Sequence, residues 1–251
     1  MSNNDTFEYA LGLGDNALIL GQRLAEWCGH SPALELDIAV TNLSLDLVGG
    51  AQLYLEYAGN IEGMGRTADD LAFLRDTLQF RNYLLLEQPN KNWGRTTARL
   101  YLYATFMVGY LEALQNSKDE QLSAIAAKAI KEMKYHKRFA GEWMLRLGDG
   151  TEESKTYVQQ GLNDMWRFTG EMFAMSDAEK RLCEAGIAVD AVALEAPWRT
   201  EVAAILDEAG LIMPPDQAMI MGRDKGHHSE HLGHILSEMQ FLQRAYPGAQ
   251  W

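Results

Sequence analysis

The chain of 251 residues has two cysteines, Cys28 and Cys183, and six prolines. Two thiols cannot build a disulfide framework or a four-thiolate zinc knuckle. A reducing cytoplasm is the compartment that fits this count, and both cysteines are expected as small buried apolar residues. Positive charge is also scarce: Lys and Arg number 22 against 35 Asp and Glu, a net −13 at pH 7. Phosphate backbones are held by clustered Lys and Arg, so the balance speaks against a nucleic-acid surface. It speaks equally against an anionic membrane face. Long hydrophobic runs are missing as well. The longest uncharged stretch is the twelve residues between Arg99 and Glu112, whereas a membrane helix needs about 20. Residues 1–6 are polar, with neither the basic start nor the apolar core of a secretory leader. A cytoplasmic protein is expected.

What remains is a chain that is 47% hydrophobic, enough for a sizeable core, patterned almost throughout at the helical period. No alternating run predicts a strand. A first helix is expected over residues 6–28, ended by Gly29. Ser31 is read as the cap of a second helix, with Pro32 in its first turn, running to residue 58 and stopping at Gly59-Asn60. The middle of that helix, residues 38–55, is apolar on nearly every face, which predicts a place in the centre of a bundle. Thr67 starts a shorter stretch over residues 68–86. Further helices are expected over 92–114, 119–147 (closed by Gly148-Asp149-Gly150) and, after the Thr151 cap, 155–173. Residues 197–208 and 228–246 read as C-terminal helices. The prediction is one all-α domain spanning residues 1–251, a ferritin-like four-helix bundle with one crossover. The core bundle would occupy about 6–174, and additional C-terminal helices about 175–251.

Such a bundle raises one chemical question, the presence of a di-iron site. The site takes one Glu from each of two helices and a Glu-x-x-His pair from each of the other two, because residues three apart share a helix face. No Glu in the chain has a His three residues on. Vestigial positions are expected instead at Asp15, Asp46, Glu132, Tyr135 and His136. Gly49 and Tyr135 stand three residues after Asp46 and Glu132, where imidazoles would be needed. His136 comes one step too far and lies on an apolar stripe with Leu122, Ile125, Ala129, Met133, Ala140 and Trp143. No catalytic or metal-binding residue is assigned, and no cofactor is expected in this chain. Asp46, in an apolar helix centre, is expected to be buried with a polar partner.

Two other patterns carry less. His227, His228, His231 and His234 form a dense cluster whose spacing could hold zinc, with Asp224 or Glu230 beside it. No general base or substrate cleft can be read with it, so the cluster is left unassigned. Gly12-Leu-Gly14-Asp-Asn-Ala17 matches the letters of a dinucleotide fingerprint, but no strand precedes it, and it is read as close helix packing.

Several blocks are long enough to be specific. They are Leu13-Gly-Asp-Asn-Ala-Leu-Ile-Leu-Gly-Gln-Arg-Leu-Ala-Glu-Trp-Cys-Gly-His30, Leu45-Asp-Leu-Val-Gly-Gly-Ala-Gln52, Ala127-Lys-Ala-Ile-Lys-Glu-Met-Lys-Tyr-His136, Glu184-Ala-Gly-Ile-Ala-Val-Asp190, Ser229-Glu-His-Leu-Gly233 and Glu238-Met-Gln-Phe-Leu-Gln-Arg-Ala-Tyr-Pro-Gly-Ala-Gln-Trp251. Together they resemble, nearly end to end, the PaaC family, the C subunits of the multicomponent phenylacetyl-coenzyme A epoxidases of phenylacetate breakdown. The resemblance implies a ferritin-like structural subunit without catalytic residues. Its implied partners are a catalytic alpha subunit that holds the di-iron centre, a small additional subunit, and a reductase using NADPH, FAD and a 2Fe-2S cluster. His227 and His234 make the His-rich segment denser than the family implies. Trp27, Tyr54 and Tyr57 are the expected contribution to the partner surface. Rival readings stay open on the residues alone: a stand-alone metal oxidase, a zinc protein at the His cluster, or a ferritin-like binding protein with no oxygenase partner.

Overall fold

Short polar side chains fix the starts of the long C-terminal helices. In the computed structural model, which describes residues 3–249, Asn92, Asp119 and Thr151 each accept a hydrogen bond from the backbone N–H three residues on. Each thereby satisfies a donor that the first helical turn leaves open. They begin α5 (Trp93–Leu114), α6 (Glu120–Gly148) and α7 (Glu152–Trp166), after α1 (Asn3–Ala25) and α2 (Leu34–Glu62). Shorter helices α3 (Ala68–Phe73), α4 (Leu84–Glu87), α8 (Asp177–Glu184), α9 (Glu195–Glu208), α10 (Glu230–Met239) and α11 (Phe241–Ala245) complete the described residues with four 3₁₀ turns and no strand. The expected all-α class holds. No helix among them is long and apolar enough to cross a membrane. Met1, Ser2, Gln250 and Trp251 lie outside the described residues, so the first two residues of the polar stretch 1–6 and the end of the last resemblance block are not placed.

Several boundaries differ from expectation. Ser31 does not cap α2; its hydroxyl donates to the Trp27 carbonyl, and Ala33 is the uncapped entry residue. The helix also runs through Gly59-Asn60 to Glu62 and stops at Gly63, which takes the left-handed φ of 70°. Gly59 serves close approach instead of termination: a Cβ there would lie 2.3 Å from the Arg66 carbonyl oxygen. Thr67 does start a helix, with a reciprocal capping box to Asp70, but that helix ends at Phe73. The α7 helix ends at Trp166 and gives way to a 3₁₀ turn over Thr169–Phe173. Helix α8 has no counterpart in the expected elements, although Ser176 and Glu179 form a capping box at its start.

The chain forms two compact units. One holds the residues up to Pro89 together with those from Gly222 on; the other is Asn90–Met221. In the first, α1 and α2 form an antiparallel hairpin. Gly14 faces Leu55 and Tyr54, and Gly21 faces Leu47 and Val48. These glycines, seven residues apart, let the two helices lie close; Gly14 belongs to the motif read as close helix packing, whereas its Gly12 faces Arg81. The Ser44 hydroxyl then donates to the Gly21 carbonyl across the interface, 2.8 Å. The C-terminal segment is fastened to this unit by Gln240, which donates to the carbonyls of Ala72 and Arg75, both at 3.0 Å.

In the second unit α5 packs against α6 and crosses α7 at an intimate contact. A Cβ on Gly161 would lie 2.6 Å from the Arg95 Cα, and one on Gly94 2.7 Å from the Val158 nitrogen. The helices covered on all faces are α1 and α5. Every residue of 9–21 and of 94–108 is buried. The expected central place of α2 is therefore corrected. One face of α2 is buried (Leu36, Val40, Leu43, Leu47, Ala51 and Tyr54), and the other is open.

Candidate functional site

The positions compared with di-iron ligands are spent elsewhere or face outward. Asp15 is wholly buried at the middle of α1 and forms an ion pair with Arg75. Its Oδ2 also accepts from Arg75 Nη1 at 3.0 Å and from the Arg81 backbone N–H at 2.8 Å. Arg75 in turn lies over the Phe80 ring, 4.2 Å from the centroid. The carboxylate is thus occupied by one guanidinium and one amide, as a buried charge must be. Asp46 corrects the expectation of burial: it is only half-buried, and Gly49 beyond it is exposed. On α6, Glu132 is half-buried and Tyr135 is 41% exposed, while His136 alone turns inward at 1% exposure. Ala129 and Trp143 of the expected stripe are half-buried, and Ile130 and Met144 are buried in their place. A di-iron centre needs its carboxylates and imidazoles aimed at one point. These side chains do not fit that requirement, and among the described residues no three or more His, Cys, Asp or Glu stand together as a metal-binding group.

The histidine cluster resolves into one structural histidine and three bystanders. The side chain of His228 is 1% exposed. Its Nδ1 lies 2.8 Å from Glu87 Oε2 and its Nε2 lies 3.0 Å from the Phe80 carbonyl. A carbonyl only accepts, so Nε2 donates to Phe80, and Nδ1 is left to bond the Glu87 carboxyl group. Glu87 is itself completely buried. It accepts further from the Ser229 amide and from Asn82 Nδ2, while its own carbonyl takes two donors from Arg23. His227 and His234 are exposed and His231 is half-buried. The segment after Gly226 is thereby latched to α4 by a buried hydrogen-bonded pair, a role that spacing alone did not show.

The open face of α2 is the main unexplained surface. Leu34, Ile38, Leu45 and Val48 are 72%, 56%, 63% and 37% exposed. At 100° per residue these four positions fall within a strip of about 80°. Gly49 adjoins it, and a Cβ there would meet nothing within 4 Å. Exposed apolar side chains gathered along one helix face mark an interaction surface. The aromatic residues expected there are placed otherwise. Tyr54 points into the chain at 4% exposure, and burial pushes its phenol above the usual range. Trp27 and Tyr57 are half-buried. The sequence signal for the open face was the all-round apolarity of α2, read as burial when half of it is surface. The cysteines also depart from expectation: Cys28 is exposed and Cys183 half-buried.

The whole chain, residues 1–251, matches the family model described as phenylacetic acid catabolic protein. It belongs to that family. It is also 50% identical, over 99% of its length and 100% of the relative's, to the C subunit of the 1,2-phenylacetyl-CoA epoxidase of Escherichia coli strain K12.

Proposed function

We propose that the chain is the non-catalytic structural subunit of a phenylacetyl-CoA epoxidase and stabilises the di-iron alpha subunit through the open face of α2. The relative's designation as an epoxidase subunit, at 50% identity over nearly the whole chain, supports the assembly. The observation that carries the structural role is the contrast between Asp15, locked to Arg75, and α2, which leaves Leu34, Ile38 and Leu45 open. The chain spends its buried acids on its own fold and its free apolar surface on something else. On this reading the fold is a ferritin-like four-helix bundle with one crossover. The protein works in the cytoplasm, with the small subunit and the NADPH-fed flavin and iron–sulfur reductase completing the system. Obligate partners bury more than about 2,000 Å² with an apolar centre, which a 29-residue helix can anchor.

The test is reconstitution. Phenylacetyl-CoA epoxidation is measured with the alpha subunit, the small subunit and the reductase, with and without this chain, and iron is assayed in each separated chain. Iron is expected with the alpha subunit, whose retention of iron or solubility falls when this chain is omitted. Two irons per molecule of untagged chain, or an alpha subunit that is stable and fully active without it, would refute the reading.

A further inference from the structure

The second unit contains a cleft that the subunit reading does not use. It lies between α5, α6 and α9 and has a volume of about 620 Å³, within the range of roughly 300–1,000 Å³ that small-molecule pockets occupy. Its floor is aromatic: Tyr101, Phe106 and Trp198 are 1%, 1% and 4% exposed. Trp198 is held in place from behind. Its indole N–H donates to the Leu102 carbonyl at 3.0 Å, and its ring stacks on Trp166 at 5.5 Å between centroids. Two glycines line it, Gly109 on α5 and Gly141 on α6, where added Cβ atoms would touch Leu194 at 3.7 Å and the Tyr101 ring at 3.4 Å.

The polar groups of the cleft are few and graded from floor to mouth. The buried Thr105 hydroxyl lies beside Tyr101, and the Tyr101 hydroxyl reaches the Glu201 carbonyl only at 3.5 Å. Burial keeps that phenol neutral, so two hydroxyls with bonding capacity to spare sit on the floor. At the mouth Lys134 pairs with Glu112 at 2.8 Å, Lys137 pairs with Glu201, and Glu142 pairs with Arg146 at 3.8 Å. Arg138 also lines the cleft. Its guanidinium lies 5.4 Å from the Tyr135 ring centroid and has no carboxylate partner among the described residues. The charges lining the cleft balance, Lys134, Lys137 and Arg138 against Glu112, Glu142 and Glu201, but Arg138 is the one cation among them that no carboxylate of the described residues engages.

We propose that the cleft is a binding site for a small amphipathic anion, a flat aromatic body with a single acidic head group. The body lies on Phe106, Tyr101 and Trp198, and the head meets Arg138. The inference stands on the cleft alone and does not depend on the subunit reading.

The test titrates the full chain with 1-anilinonaphthalene-8-sulfonate and, separately, with N-phenyl-1-naphthylamine, which has the same body without the sulfonate. Arg138→Gln, a surface change that leaves the fold intact, is expected to weaken the sulfonate about fivefold and the neutral probe less than about twofold, the scale of one exposed charge contact. Gly109→Leu, checked for unchanged circular dichroism, is expected to weaken both by about tenfold or more by filling the cleft. Thr105→Val replaces it if it does not fold, with loss of affinity for both probes expected. Leu45→Glu controls for binding to α2 and is expected to change neither. Absence of saturable binding overturns the proposal. So does unchanged sulfonate affinity in Arg138→Gln, unchanged affinity in the cleft-floor variant used, or loss confined to Leu45→Glu.

Discussion

Asp15 and Asp46 look alike in the sequence, since each is a lone acid in an apolar helical stretch, but their physical situations are opposite. Asp15 is fully buried and bonded to Arg75, sixty residues away. Removing the guanidinium with Arg75→Met leaves a carboxylate buried without its counter-charge, and a cost of about 3–5 kcal/mol is expected in urea unfolding. Asp46 is half-exposed, so Asp46→Leu is expected to shift stability by less than about 1 kcal/mol in the same measurement. Periodicity reports how apolar a helix is; it does not report which distant side chain reaches a given acid. For that reason the sequence could place both carboxylates on helices yet not tell the wholly buried one from the half-buried one. The cysteines show a similar limit. Burial, then Asp190 and Glu184, push the Cys183 thiol up from its ordinary value, while Cys28 is exposed. The thiolate is the reactive form. Iodoacetamide at neutral pH is therefore expected to label Cys28 first, with Cys183 labelled appreciably only at higher pH. Equal labelling at neutral pH would contradict this placement.

At the scale of the element, α2 is where legibility was best and also where it failed. Its existence and helical character followed from its period. Its ends did not, because Gly59 read as a stop signal and is a contact with the Arg66 carbonyl. Its environment did not follow either, because a helix apolar on two faces can be central or can be half surface. Of the caps read from the sequence, Thr67 and Thr151 hold and Ser31 does not; the two that hold act through bonds only three residues long, so everything needed is local. The latch between His228 and Glu87 spans 141 residues and left no local trace. The two kinds of glycine in α2 give a direct comparison. Gly59→Ala forces a Cβ onto backbone and is expected to destabilise the isolated chain by about 1–3 kcal/mol, although alanine is the better helix former. Gly49→Ala meets nothing within 4 Å and is expected to stabilise the isolated chain by about 0.5–1 kcal/mol. Thermal melts of both variants check the pair of signs. If Gly49→Ala is destabilising, that surface is already covered within the chain.

For the whole molecule, the all-helical class and the family were readable from the sequence, and the use of its surfaces was not. Net charge, cysteine count and missing ligand pairs removed chemistries one by one. The positive assignment of a partner surface had to wait for burial to separate Tyr54, which packs inward, from Leu34, Ile38, Leu45 and Val48, which do not. The central claim is that this face of α2 is covered by the catalytic subunit. The most direct measurement is co-expression with that subunit followed by size exclusion, comparing the native chain with Leu45→Glu, whose circular dichroism and melting temperature are expected to be unchanged. Leu45 is 63% exposed, so the substitution strands no core partner. It would bury an unpaired charge only in the complex, a penalty of several kcal/mol. The native chain is expected to elute with the catalytic subunit as one species and the Leu45→Glu chain to elute apart from it. Full co-elution of Leu45→Glu, with unchanged epoxidase activity, would contradict the account.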